Sequence, residues 1–305
     1  MTDITDTICT GVFPAMVTPF HEDGRIDFDQ LQTDARRLEH SGVDGVVPMG
    51  STGESATVSH EEHIDVVEAV VNAVDDIPVI AGSGSNNSRE ALELSRESAA
   101  VGADALLLIS PYYNNPEQHG LEAHYRRIAD EVDLPQIVYN VPGRTGCNIE
   151  PDTTVSLAGH ENIIGYKAAS GDLGQITEVI ERTADHTFNV LSGDDALTLP
   201  MLAIGATGTI SVAANVEPER TVEYVHAALD DDYERARSIH HELGPLFRAL
   251  FIETNPIPVK EAMTIRGHCG PTLRLPLTRL QPENRDYLRG ILDDLERESA
   301  IAEGR

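Results

Sequence analysis

Ile163-Ile164-Gly165-Tyr166-Lys167-Ala168-Ala169 is a short, β-branched apolar run that closes on a single charge, and it is one of a series. Working outward, similar runs stand at Val12–Val17, Gly45–Met49, Pro78–Ala81, Ala105–Ser110, Gln136–Asn140, Ile163–Ala168, Phe188–Ser192 and Gly208–Ala213. Between them, Phe28–Ser41, His60–Val74, Ser88–Val101 and Leu121–Val132 repeat apolar residues at three and four positions, the period of an amphipathic helix. Ser59 precedes the second of these helices and Asn87 or Ser88 the third, where short oxygen-bearing side chains cap orphan N–H groups. Strands alternating with helices mean parallel β/α construction. Eight strands, spaced 20 to 33 positions apart, suit a closed barrel better than an open doubly wound sheet. The expected fold is therefore α/β, a (β/α)8 TIM barrel over residues 1–230 whose strands end near Asn215. A helical C-terminal appendix is expected over 231–305, with one further strand-like run at Phe251–Val259.

Composition narrows the function. Hydrophobic residues make up 40% of the 305, enough for one large core, and no apolar run approaches the roughly 20 residues that span a bilayer. Met1–Thr10 is polar and acidic, without the basic and apolar regions of a signal peptide, so a cytoplasmic protein is expected. Cys9, Cys147 and Cys269 are widely spaced and form no CxxC pair, which argues for free thiols and against a disulfide framework or zinc site. Twenty-two basic residues against 51 acidic ones leave a net charge of −29, which repels nucleic acid. Such charge fits a halophile, where concentrated salt screens the self-repulsion.

Only two lysines occur, Lys167 and Lys260. Lys167 ends a strand; facing a barrel interior it would be desolvated, its pKa would fall, and the neutral amine could form an imine with a ketone. Lys260 lies in Asn255-Pro256-Ile257-Pro258-Val259-Lys260, beyond the barrel, and reads as structural. Gly50-Ser51-Thr52-Gly53-Glu54 follows the second run, on the rim where barrel active sites form. Its glycines, N–H groups and hydroxyls suit a small carboxylate or phosphate. The fifth run ends in Val138-Tyr139-Asn140-Val141-Pro142-Gly143-Arg144-Thr145-Gly146, offering a phenol for proton transfer and a guanidinium for a carboxylate. Pro111-Tyr112-Tyr113-Asn114 adds two aromatics after the fourth. Taken singly, these residues read as readily as a core tyrosine, a surface arginine or an ordinary turn.

Together, and in this order, they resemble the dihydrodipicolinate synthases, within the pyruvate-dependent aldolase superfamily that includes N-acetylneuraminate lyase. The resemblance runs from Gly11-Val12-Phe13-Pro14-Ala15 through Gly208-Thr209-Ile210-Ser211-Val212 to Glu253-Thr254-Asn255-Pro256-Ile257-Pro258-Val259-Lys260. It implies that Lys167 forms an imine with pyruvate, that Tyr139, Thr52 and Tyr113 relay protons, with Tyr113 reaching across a subunit contact, and that Ser51, Thr52 and Ile210 bind pyruvate. Arg144 would bind the carboxylate of L-aspartate 4-semialdehyde, and the product would be 4-hydroxy-tetrahydrodipicolinate, for lysine and diaminopimelate synthesis. Ser51-Thr52 departs from the Thr-Thr of many synthases and is closer to the lyase branch, while Gly143-Arg144-Thr145-Gly146 points to the synthases.

The resemblance further implies no metal or organic cofactor, a homotetramer built as a dimer of dimers, and an L-lysine site at Ser55, Ala56, His60, His63, Asn86, Glu90 and Tyr112. At that site His60 and His63 also read as plain helix-start residues, and Glu90 as a first-turn acid favoured by the helix dipole. Two rivals remain: a 2-keto-3-deoxy sugar-acid aldolase or neuraminate-type lyase with the same lysine chemistry, and a non-catalytic barrel that binds a keto acid.

Overall fold

The computed structural model describes residues 8–303; Met1–Thr7, most of the polar Met1–Thr10 stretch read above, lie outside the described residues. Seven parallel strands form one sheet: β1 Gly11–Pro14, β2 Ile80–Gly82, β3 Ala105–Ile109, β4 Gln136–Asn140, β5 Ile163–Ala168, β6 Asn189–Ser192 and β7 Gly208–Ser211, in the order β1-β7-β6-β5-β4-β3-β2. The helices are α1 Phe28–His40, α2 His60–Val71, α3 Ser88–Ala100, α4 Gln118–Glu131, α5 Pro142–Thr145, α6 Pro151–Ala158, α7 Leu173–Thr183, α8 Thr198–Ala203, α9 Pro218–Leu229, α10 Tyr233–Ala249, α11 Ile257–Ile265 and α12 Pro282–Glu303. The expected caps are in place. Ser59 and Glu62 exchange side-chain and backbone hydrogen bonds in a capping box, and Asn87 accepts from the Arg89 N–H at 3.0 Å.

The second expected strand, Gly45–Met49, is not a strand in its own right. It makes isolated parallel bridges, Val47 with Ala15 and Val46 with Val79. Val47 N–H donates to Pro14 O at 2.9 Å on one side, and Ile80 N–H to Val46 O at 2.9 Å on the other, so the segment lies hydrogen-bonded to both sheet edges. Pro14, Pro48 and Pro78 bring no N–H to these ladders, which thins them to bridges. Phe251–Val259, expected as strand-like, is a turn leading into α11.

Three apolar clusters hold the molecule. One lies between the sheet and the helices that follow its strands, from α1 to Met201 on α8. A second fills the inner face of the sheet, with Phe13, Val47, Ile80, Leu107, Ile137, Tyr139, Leu191 and Ile210. The third packs α9 to α12 against Val12, Val17 and Val212–Val216, so the C-terminal helices share their core with the sheet. Among the described residues no helix is long and apolar enough to cross a membrane, and all three cysteines are free.

Candidate active site

Lys167 owes its position to a slip in the sheet. Ile163 packs in the outer cluster, and residues four apart on a regular strand share a face, which would turn Lys167 outward as well. The β4–β5 register shifts between Gln136 and Ile137, with Gln136 opposite Ile163 but Ile137 opposite Gly165. The extra residue, Ile164, flips the faces beyond it. Lys167 therefore pairs in register with Tyr139 on the inner face, its Nζ 4.2 Å from the centre of the tyrosine ring.

Burial sets the chemistry of both. Lys167 is 5% exposed, and desolvation brings its pKa down to about 7; Asp195 opposes that fall and the Arg144 guanidinium adds to it. A substantial share of the amine is neutral at neutral pH. Desolvation also pushes Tyr139 up to about 12, with Arg144 pulling back, so the phenol holds its proton. Room for the lysine comes from Gly193, where an added Cβ would lie 2.9 Å from Lys167 Cε.

A cavity of about 570 Å³ lies beside Tyr139. Tyr139, Arg144, Ser51 and Asn255 line it, while Lys167, Thr52 and Ile210 are not among its lining residues. Arg144 donates to the Asn255 carbonyl at 2.7 Å. The Gly50–Glu54 loop closes on itself, Gly53 N–H donating to Gly50 O and Glu54 N–H to Ser51 O, so two of the N–H groups offered to an anion are already engaged. Thr52 is buried and its Oγ1 accepts from Asn255 Nδ2 at 3.0 Å. Ile210 is buried on β7. Tyr113 is set apart from these groups: it is 87% exposed, in left-handed backbone at φ 72°.

Six of the seven residues singled out as a second site, Ser55, Ala56, His60, His63, Glu90 and Tyr112, line the same cavity. His60 Nε2 meets Glu90 Oε1 at 2.7 Å, and Ser85 donates to the other carboxylate oxygen. These hydrogen bonds, Ser85 first, lower the Glu90 pKa, whereas burial takes His63 down to about 4. Asn86 is outside the lining and accepts at its carbonyl from Asn114 Nδ2.

The dihydrodipicolinate synthetase family model matches residues 8–295. The chain belongs to that family. Within it, the chain is 70% identical over 298 residues to the 4-hydroxy-tetrahydrodipicolinate synthase of Haloarcula marismortui, covering 96% of this chain and 97% of the relative. A dihydrodipicolinate synthase from Acinetobacter baumannii, solved in complex with pyruvate, superposes with a TM-score of 0.92 at 40% identity, over 94% of this chain and 99% of that one. The family member from Cyanidioschyzon merolae, solved with lysine bound, gives 0.91 at 39% identity, over 94% and 98%.

Several residues of the site escape a reading of the sequence. Lys260, read as structural, is fully buried and forms an ion pair with Glu54, also donating to Thr18 O at 2.8 Å and Thr272 O at 3.0 Å. The rim loop is thus anchored from α11. Asp195 is buried beneath the loop after β7, accepting from Ser211 Oγ and from the N–H groups of Val212 and Ala213. Asn255 joins Thr52 to Arg144 across 203 and 111 positions of sequence. Separations of that size leave no local pattern to read.

Proposed function

We propose that this chain is a 4-hydroxy-tetrahydrodipicolinate synthase that carries pyruvate as an imine on Lys167. The observation that carries the reading is Lys167 itself, a buried amine brought near pH 7 on the inner face of the sheet, beside a protonated phenol, in a chain of this family. The neutral amine adds to the pyruvate ketone and water leaves, giving the imine. Loss of a methyl proton gives an enamine, whose carbon attacks the aldehyde carbon of L-aspartate 4-semialdehyde. The substrate's own amine then displaces Lys167, closing the ring and freeing the enzyme.

Tyr139, Thr52 and the partner subunit's Tyr113 move the protons in this reading. Ser51, Thr52 and Ile210 hold pyruvate, which reaches Lys167 past the Tyr139 ring. Arg144, on the cavity wall, takes the semialdehyde carboxylate. The scaffold is read as a (β/α)8 barrel over residues 1–230, with Gly45–Met49 as the second of its eight staves, followed by the helical appendix 231–305. The enzyme works in the cytoplasm as a homotetramer, which gives the exposed Tyr113 a neighbouring active site to enter. L-Lysine acts as feedback inhibitor at His60, His63, Glu90, Tyr112, Ser55, Ala56 and Asn86; the relative with lysine bound supports this.

Pyruvate consumption by the purified protein in molar KCl, with aspartate semialdehyde, glyceraldehyde and N-acetylmannosamine as competing acceptors, tests the assignment. Preference for the semialdehyde by orders of magnitude is expected. Preference for a sugar aldehyde would move the protein to the sugar-acid aldolases while keeping Lys167. Turnover unchanged at saturating lysine would remove the second site.

A further inference from the structure

We infer that Asn255 is a positioning residue that sets the direction in which the Thr52 hydroxyl gives its proton. The inference rests on the Schiff-base reading above. Asn255 is 5% exposed, stands in the turn before α11, and donates from Nδ2 to Thr52 Oγ1 at 3.0 Å. A hydroxyl has one hydrogen, so a threonine that accepts from an amide turns that hydrogen away from it. The Asn255 side chain thereby turns the Thr52 hydrogen away from α11, leaving it to be given to another group, and removes the alternative in which the hydroxyl points back at Asn255.

The amide is held there at a cost in stability. Its Oδ1 is buried and has no hydrogen-bond partner among the described residues. A buried orphan acceptor costs stability that an apolar side chain of similar size would not, and the one side-chain bond the amide does make is the bond to Thr52. The same residue also meets Arg144, but through its backbone carbonyl, at 2.7 Å. Changing the side chain therefore removes the Thr52 contact while leaving the carbonyl that holds Arg144.

That separation gives a kinetic signature. Asn255→Ala should lower kcat at least about tenfold, the scale of a disturbed proton-transfer step, while KM for aspartate semialdehyde stays within about twofold. Asn255→Asp keeps the shape but, ionised, cannot donate; it should lose at least as much at pH 8, and its deficit relative to the parent at the same pH should shrink as pH falls and the carboxyl regains its proton. An Asn255→Asp enzyme with unchanged kcat at pH 8 would overturn the assignment, as would variants whose only change is a lower Tm. If the Ala variant fails to fold, the isosteric Asp variant decides by the same criteria. Borohydride trapping of pyruvate on the parent enzyme runs alongside. A parent without adduct fails the Schiff-base reading, whereas a parent with adduct and fully active variants fails only the role of Asn255.

Discussion

In the proposed reaction Lys167 acts without its charge, and burial gives it a pH signature. With its pKa near 7, the neutral amine gains through that pH, so the rate of pyruvate imine formation should rise between about pH 6 and 8 and then level. The same shift has a sign in stability. Between pH 7 and the lysine's ordinary value of 10.5, the unfolded chain binds a proton that the folded one does not, so folded stability rises with pH across that window. Lys167→Met should accordingly stabilise the fold by several kcal/mol at pH 7, with the difference shrinking toward pH 10; denaturant titrations at pH 7 and 9 would show it. Arg144→Ala should lower kcat/KM for the semialdehyde roughly ten- to hundredfold, as loss of a charge-assisted pair does, with pyruvate adduct formation retained. Lys167 and Arg144 are legible in the sequence because one is a rare lysine on an apolar run and the other follows a strand end. Asn255 is not legible, because its partners lie in distant loops and an asparagine beside a proline otherwise reads as a turn.

At the scale of elements, strand order and helix caps follow from local composition, whereas the face each strand presents does not. The slip at Ile164 that turns Lys167 inward arises from pairing with β4 and leaves no mark in the periodicity of β5 itself. The run at Gly45–Met49 has strand composition, yet prolines on it and on both neighbours leave it only bridges. Two substitutions test how elements hold the site. Gly193→Ala places a methyl 2.9 Å from both Lys167 Cε, which can swing aside, and Ala169 Cβ, which cannot. It should reduce turnover sharply and also lower Tm, and full turnover beside a lowered Tm would contradict that account. Lys260→Met leaves Glu54 buried beneath the rim loop without its cation, which should destabilise the protein by about 3–5 kcal/mol in denaturant titrations.

For the whole molecule, the net charge of −29 is the dominant long-range term, and relatives of this chain come from halophilic archaea. Screening of that repulsion predicts a Tm that climbs as KCl rises from tens of millimolar to molar, and a flat curve would count against it. Tyr113 is 87% exposed, more than an aromatic side chain needs to be in an isolated chain. Sedimentation should find a tetramer, and Tyr113→Phe should slow turnover without dissolving it. Composition made the charge plain from the start, but assembly depends on shape at surfaces that no single-chain pattern encodes.

The central claim is that Lys167 carries pyruvate, and borohydride reduction of the protein with pyruvate, followed by peptide mass mapping, tests it most directly. The account predicts one reduced pyruvate adduct per chain, on the peptide containing Lys167, and none in Lys167→Met. An unmodified Lys167, or an adduct on Lys260 instead, would contradict it.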